Sequence, residues 1–227
     1  MSSLDQVWAV VPLFNEEAVI GAVVTDLKTH IPNVLCVDDG SSDASARQAA
    51  SAGAYVAQHP INLGQGAALQ TGFDWVLSQT DAQYVVTFDA DGQHSSADAL
   101  TMVTQAQTQD LAFVLGSRFL TNQKTEMSAL RRLVLKAATL VTRMRTGLDL
   151  TDTHNGLRVI RRDALEKIRL TQNRMAHASE ITEQLAKTKL PWREASVNVA
   201  YTDYSRSKGQ SLLNSVNILV DLIMGRQ

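Results

Sequence analysis

One cysteine, Cys36, is the only thiol in the chain. No disulfide can form within it, which fits a reducing compartment. Cys36 sits in the apolar run Val34-Leu35-Cys36-Val37 and reads as a small buried hydrophobe. Long hydrophobic runs are missing too: nothing approaches the roughly 18 residues that span a bilayer. The opening residues, Met1-Ser2-Ser3-Leu4-Asp5, have neither the basic stretch nor the apolar core of a signal peptide. The expectation is a cytoplasmic protein, or one attached to a membrane surface or a membrane partner. Charge of one sign is also lacking. Lys and Arg total 21 against 23 Asp and Glu, a net charge of -2, which argues against bulk nucleic-acid binding. The histidines show no zinc-like pairing with cysteine, so a zinc site is discounted. Two nucleotide signatures are absent. The turn after the first apolar run is Pro12-Leu13-Phe14-Asn15-Glu16, where a dinucleotide dehydrogenase needs G-x-G-x-x-G, and no P-loop occurs. The glycine- and arginine-rich loop of a sugar-nucleotide pyrophosphorylase is missing as well.

What is present suits one folded domain over residues 1–227, with 44% hydrophobic residues to build a core. The first half alternates strands and helices. Strands are expected at 7–11, 34–37, 55–58, 84–88 and 111–115. Helices are expected from Val19 to Leu27 and over 42–52, 67–77 and 96–107, with Ser41 or Ser42 as the N-cap of the second. Such alternation predicts an α/β fold, a mostly parallel sheet with helices on both faces. In the second half, 156–161 and 197–200 read as strands and 178–187 as a helix. Residues 127–145 form an apolar helical run carrying Arg131, Arg132, Lys136, Arg143 and Arg145. The tail 211–224 is amphipathic.

In a parallel sheet, ligands sit beyond the carboxyl ends of the strands. The polar clusters fall at those ends. Asp89-Ala90-Asp91 directly follows the run Tyr84-Val85-Val86-Thr87-Phe88. Residues two apart on an extended chain point to the same side, so the two carboxylates repel unless a cation lies between them. Mg²⁺ takes one or two carboxylates and fills its shell with phosphate oxygens and water. Gln93 and His94 stand next in line as ligands; the bland alternative is a solvated acidic turn. Asp38-Asp39-Gly40 can hydrogen-bond a ribose or a base edge, or simply turn the chain. Asn62-Leu63-Gly64-Gln65-Gly66 precedes a helix whose N-terminus favours phosphate, or is a plain connector. Arg118, and Arg206 with Lys208 in a Ser/Gly-flanked loop, suit a diphosphate or a phosphate acceptor; ordinary surface charge is the alternative. Asp152, and Glu180 beside His177, are candidate bases or acceptor orienters, or else caps and loop solvation.

The order of these clusters, from residue 7 to about 210, resembles family 2 glycosyltransferases with a GT-A fold, and within them the dolichyl- or polyprenyl-phosphate mannose synthases. Carrying the resemblance are 11–17, 37–43, 62–66, 89–94, 116–119, 151–158 and 207–209. It implies a nucleotide-sugar half over about 1–120 and an acceptor half over about 121–227. Pro12, Phe14, Glu16, Asp38, Asp39, Gly64, Gly66, Asp89 and Ala90 would line the donor pocket. Asp89, Asp91 and Gln93 would hold Mg²⁺ or Mn²⁺ against the diphosphate. Arg118, Arg131, Arg206 and Lys208 would hold the lipid phosphate or the leaving diphosphate. The implied reaction inverts the anomeric centre in one displacement, with GDP-mannose favoured as donor and a polyprenyl or dolichyl phosphate as acceptor. An ionised lipid phosphate needs no general base, whereas an alcohol needs one, and Asp152 or Glu180 would serve.

This chain departs from that pattern at Asn155-Gly156-Leu157-Arg158, where Leu157 replaces the usual Phe and His154-Asn155 is unusual. Two other readings stay open. One is transfer from a UDP-sugar to a hydroxyl acceptor in cell-envelope polysaccharide synthesis. The other is a non-catalytic subunit that docks a membrane partner. The segment 127–145 and the tail are the candidates for peripheral attachment at the inner face of the membrane, as basic amphipathic helices or through a small membrane-protein partner.

Overall fold

The structure, a computed structural model, describes residues 4–120, 139–140, 142–153, 155–172 and 176–200. Seven strands make one sheet: β1 (Val7–Leu13), β2 (Asn33–Asp38), β3 (Tyr55–Gln58), β4 (Tyr84–Thr87), β5 (Phe113–Ser117), β6 (Arg158–Arg161) and β7 (Trp192–Ser196). Their order is β3-β2-β1-β4-β6-β5-β7. All neighbours are parallel except β6, which runs against both β4 and β5. Every residue of β1 is buried, because strands flank it and helices cover both faces. That is why its sequence is a continuous apolar run and does not alternate.

The helices are α1 (Ile20–Lys28), α2 (Ser45–Ser51), α3 (Gln65–Gln79), α4 (Ser96–Thr108), α5 (Arg162–Leu165) and α6 (Ala176–Lys187). One apolar layer joins α1, α2 and α4 to the sheet, and a second joins α3, α5 and α6 to its other face. In α1 the buried residues are Ile20, Val23, Val24 and Leu27, the spacing of a single helical face. Gly72 lets α3 lie directly on β1; a Cβ there would come within 2.3 Å of Val10 Cγ1.

Three of the differences from the sequence expectation have a plain physical cause. β5 begins at Phe113, since Leu111 and Ala112 are still leaving the turn at Asp110, whose φ is 51°. Among the described residues the last strand is 192–196, with 197–200 contributing only a bridge between Val199 and His94. As an edge strand, β7 keeps Arg193 and Glu194 within it, which hides it from a hydrophobicity reading. Finally, α2 starts at Ser45, and its N-cap position is Ala44. Ser41 and Ser42 bond the turn after β1 instead. Of the run 127–145, only 139–140 and 142–145 are described, and they are helical. The tail 211–224 lies outside the described residues. Among the described residues no helix is long and apolar enough to cross a membrane.

Parallel strands β1, β2, β4 and β5 all end on one edge of the sheet. Reversed β6 starts there, so residues 151–153 and 155–157 join the same edge.

Candidate active site

The turns after β1 and β2 hold each other. Asn15 N donates to Ser41 Oγ at 2.9 Å and Glu16 N to Ser45 Oγ at 2.7 Å, while Ser42 N returns a bond to Asn15 Oδ1 at 2.9 Å. Glu17 N donates to Asp43 Oδ2 and Ala44 N to Glu17 Oε2. Asn15 adopts φ 53°, which Asn tolerates better than most residues. This stitching fixes Phe14, which stays 44% exposed, and Glu16 at the mouth of a cleft.

The two aspartates after β2 do different work. Asp38 is buried, accepting from Ser41 N and Gln58 Nε2, and does not line the cleft. Asp39 lines it, but its carboxylate is occupied by Leu63 N at 2.9 Å, Gly64 N at 2.7 Å and His59 Nδ1 at 2.8 Å. Asp39 thereby pins the 62–64 turn that leads into α3. Gly40, at φ 74°, must be glycine, because a Cβ would meet Ile61 C at 2.7 Å.

Opposite this turn lie Asp89, Ala90 and Asp91. The cleft they close is about 320 Å³, bounded also by Pro12, Phe14, Glu16, Asp39, Gly64 and Gln65. That is the lower end of the usual range for ligand sites. Asp89 accepts from Gln65 Nε2 at 3.2 Å and from His94 Nε2 at 3.0 Å. Burial opposes its ionisation, but the His94 hydrogen bond and the charges of His94, Arg158 and His177 outweigh it. They hold the Asp89 carboxyl below the usual range. Asp91 goes the other way: burial, then the charges of Asp89 and Glu16, push it up to about 6. Gly156 packs against Asp89, where a Cβ would fall 2.1 Å from Oδ2.

Crowded carboxylates of this kind suit a divalent cation. Among the described residues, no three His, Cys, Asp or Glu side chains converge to cage a metal alone. The arrangement therefore fits a cation that takes one or two carboxylates and completes its shell with phosphate and water. Gln93 is not in the cleft lining; its backbone bonds Asp91 Oδ1 and Ala200 N. His94 is turned to Asp89.

Arg118, just past β5, forms a bidentate pair with Asp152: Nε to Oδ2 at 2.6 Å and Nη2 to Oδ1 at 2.8 Å. Asp152 is thus placed as the holder of Arg118, not as a free base. Glu180 is also committed, accepting from Thr171 N, Thr171 Oγ1, Gln172 N and Gln184 Nε2. It fastens the segment before α6 and is absent from the cleft lining. Gly66, in the first turn of α3, is a packing position, where a Cβ would meet Gln172 O at 2.1 Å. Arg131, Arg206 and Lys208 lie outside the described residues.

Two charged residues received no role from the sequence: Arg158, which stands in the motif 151–158, and Glu194, which stands in none. Arg158 is 3% exposed, and burial pushes it down to about 10 against the opposing pull of Asp89 and Asp152. Its one hydrogen bond among the described residues is long, Nη1 to Gly156 O at 3.5 Å. Glu194, in β7, is raised by burial and accepts from Thr151 and Asp152. For Glu194, a charged residue inside a strand was the only signal.

The family model described as glycosyl transferase family 2 matches residues 8–169. The chain belongs to glycosyl transferase family 2. It is therefore a glycosyltransferase. It is 34% identical over 224 residues to an uncharacterised protein of Methanocaldococcus jannaschii, covering 97% of this chain and 92% of that one. It is 27% identical to a UDP-N-acetylglucosamine--dolichyl-phosphate N-acetylglucosaminyltransferase of Methanococcus voltae, covering 96% and 95%. With a polyprenol monophosphomannose synthase of Mycolicibacterium smegmatis it shares 31% identity, covering 92% and 81%. A glucosyl-3-phosphoglycerate synthase from Mycobacterium tuberculosis, solved with Mn²⁺, UDP and phosphoglyceric acid, has the same fold. The TM-score is 0.72 at 18% identity, over 96% of this chain and 75% of that one.

Proposed function

We propose that this glycosyltransferase moves a sugar from a nucleotide diphosphate sugar to a polyprenyl or dolichyl phosphate, with inversion and with a divalent cation. The carrying observation is the cleft where Asp89 and Asp91 face the β1 turn and the start of α3. Phe14 and Pro12 would border the nucleoside, and the first turn of α3 offers its N–H groups to the diphosphate. When bound at Asp89 and Asp91, Mg²⁺ or Mn²⁺ supplies a positive charge that stabilises the departing diphosphate. The protein's own part is to hold donor and acceptor in line.

The acceptor reading is supported by the two residues that an alcohol acceptor would need as base. Asp152 spends both oxygens on Arg118, and Glu180 is bound to the 171–172 turn. An ionised phosphate needs no base, and Arg118, which follows β5 at the same sheet edge but stands outside the cleft lining, would meet it. The relatives from Methanococcus voltae and Mycolicibacterium smegmatis carry names that specify such lipid phosphates. GDP-mannose is the donor favoured here. UDP-N-acetylglucosamine is the competitor, by the name of the Methanococcus voltae relative. Peripheral attachment at the inner membrane face would bring the lipid phosphate to the cleft.

The test is a melting-temperature panel of nucleotides and nucleotide sugars with and without Mn²⁺, since selective binding raises stability by mass action. A rise with one nucleotide diphosphate that requires metal supports the reading. Equal shifts with and without metal would refute the cation's role.

A further inference from the structure

We propose that Glu194 is a positioning residue for Arg118, acting through the turn at Thr151 and Asp152. It rests on the reading of Arg118 as the residue that meets the acceptor phosphate. The turn at 151–152 has two backbone N–H groups outside any strand ladder, and Glu194 takes both. Its Oε1 accepts from Thr151 N at 2.8 Å and from Asp152 N at 3.2 Å, and its Oε2 from Thr151 Oγ1 at 2.9 Å. The Thr151 hydroxyl lies 2.5 Å from Ser117 Oγ, the last residue of β5. Asp152, whose side chain is 1% exposed, grips the Arg118 guanidinium and also accepts from Arg118 N at 3.2 Å. One carboxylate on the edge strand thus sets the turn, the turn sets Asp152, and Asp152 sets Arg118.

The sheet register makes the relay short. Glu194 pairs with Leu115, and Ser196 with Ser117, so Glu194 lies across from β5 just before its end. Burial disfavours the Glu194 carboxylate, and the charge of Asp152 adds to that, while the donors of the turn oppose both. A carboxylate kept there against burial, with its described hydrogen bonds all aimed at one turn, serves the geometry of that turn. A guanidinium fork tolerates little misalignment before a bidentate contact becomes single.

The experiment compares Glu194→Ala, Glu194→Gln and Arg118→Gln in the full chain, using a short polyprenyl monophosphate in detergent as acceptor. It measures the acceptor KM, kcat and metal-dependent binding of whichever nucleotide diphosphate sugar supports turnover. Glu194→Ala is expected to raise the acceptor KM about tenfold, the worth of one lost charge-assisted hydrogen bond, with nucleotide binding unchanged. Glu194→Gln keeps a carbonyl for the two N–H groups and can donate to Thr151 Oγ1, so it is expected to restore KM to within about twofold. Combined with Arg118→Gln, Glu194→Ala should add little further, because its effect passes through Arg118. Additive effects, or a lower melting temperature with unchanged acceptor KM, would overturn the positioning role. If Arg118→Gln itself leaves the acceptor KM unchanged, the underlying reading of Arg118 fails, and the proposal with it. Should Glu194→Ala not fold, Thr151→Val removes the hydroxyl link alone. A rise in acceptor KM with unchanged nucleotide binding supports the relay there, and no change overturns it.

Discussion

Replacing Gly156 with alanine drives a methyl carbon into Asp89. The new Cβ would lie 2.1 Å from Oδ2, 2.5 Å from Cγ and 2.6 Å from Oδ1. The backbone cannot easily give way, since Gly156 O accepts from Thr87 Oγ1 at 2.6 Å and β6 follows two residues later. Asp89 must move, and it is held by His94 and Gln65. Overpacking of this kind costs about 1–3 kcal/mol of stability. The larger effect falls on function, because shifting a reacting-site group by about 1 Å can cost on the order of 100-fold in rate. Urea unfolding gives the first quantity, and turnover with metal and nucleotide sugar gives the second. Gly156→Ala is expected to remain folded with metal-dependent activity down by about that factor. A variant with wild-type stability and turnover would refute the placement of Asp89 against Gly156.

In the metal-free protein, Asp91 is raised from 3.8 to about 6. The unfolded chain then gives up this proton first, so stability falls as pH rises from about 4 to 6, by on the order of 1–2 kcal/mol after allowing for partial exposure. Asp91→Asn should flatten that slope in urea titrations, and an unchanged slope would contradict the shift. Metal-dependent nucleotide binding should weaken as pH falls through about 6, as protons compete for Asp91; a binding curve flat from pH 7 to 5 would contradict this. Asp152→Ala leaves the Arg118 guanidinium without its bidentate partner and should cost about 3–5 kcal/mol in urea unfolding; a loss below about 1 kcal/mol would show the pair to be solvated. Asp39→Ala frees Leu63 N, Gly64 N and His59, and should cost about 2–4 kcal/mol and weaken nucleotide binding through the 62–64 turn. Wild-type binding by that variant would count against the turn as part of the donor site.

Much of residues 4–120 was legible because burial on both faces leaves its mark on composition. β1 and β2 are unbroken apolar runs, and each ends on acids or amides that the parallel topology brings to one edge. The reversed strand β6 was legible as a strand but not in direction, since nothing local in Arg158–Arg161 records which way it runs. β7 was displaced toward Val197–Ala200 because Trp-Arg-Glu-Ala-Ser alternates only weakly. In the site, residue type outran residue role. Asp38 and Asp39 are adjacent and chemically alike, yet one is buried under the turn and the other pins Leu63 and Gly64. Asp152 has the chemistry of a base, and only the tertiary contact with Arg118 gives it a different task. Glu194 carried no motif; its meaning comes from pairing β7 with β5.

The most direct test of the account is mass-spectrometric detection of lipid product. Purified protein would be mixed with Mn²⁺, polyprenyl monophosphate and, in separate reactions, GDP-mannose and UDP-N-acetylglucosamine. A metal-dependent polyprenyl-phosphate sugar is expected from one donor, and none from the Asp91→Asn variant. Sugar transfer to a hydroxyl acceptor with no lipid-phosphate product, or equal product from Asp91→Asn, would contradict it.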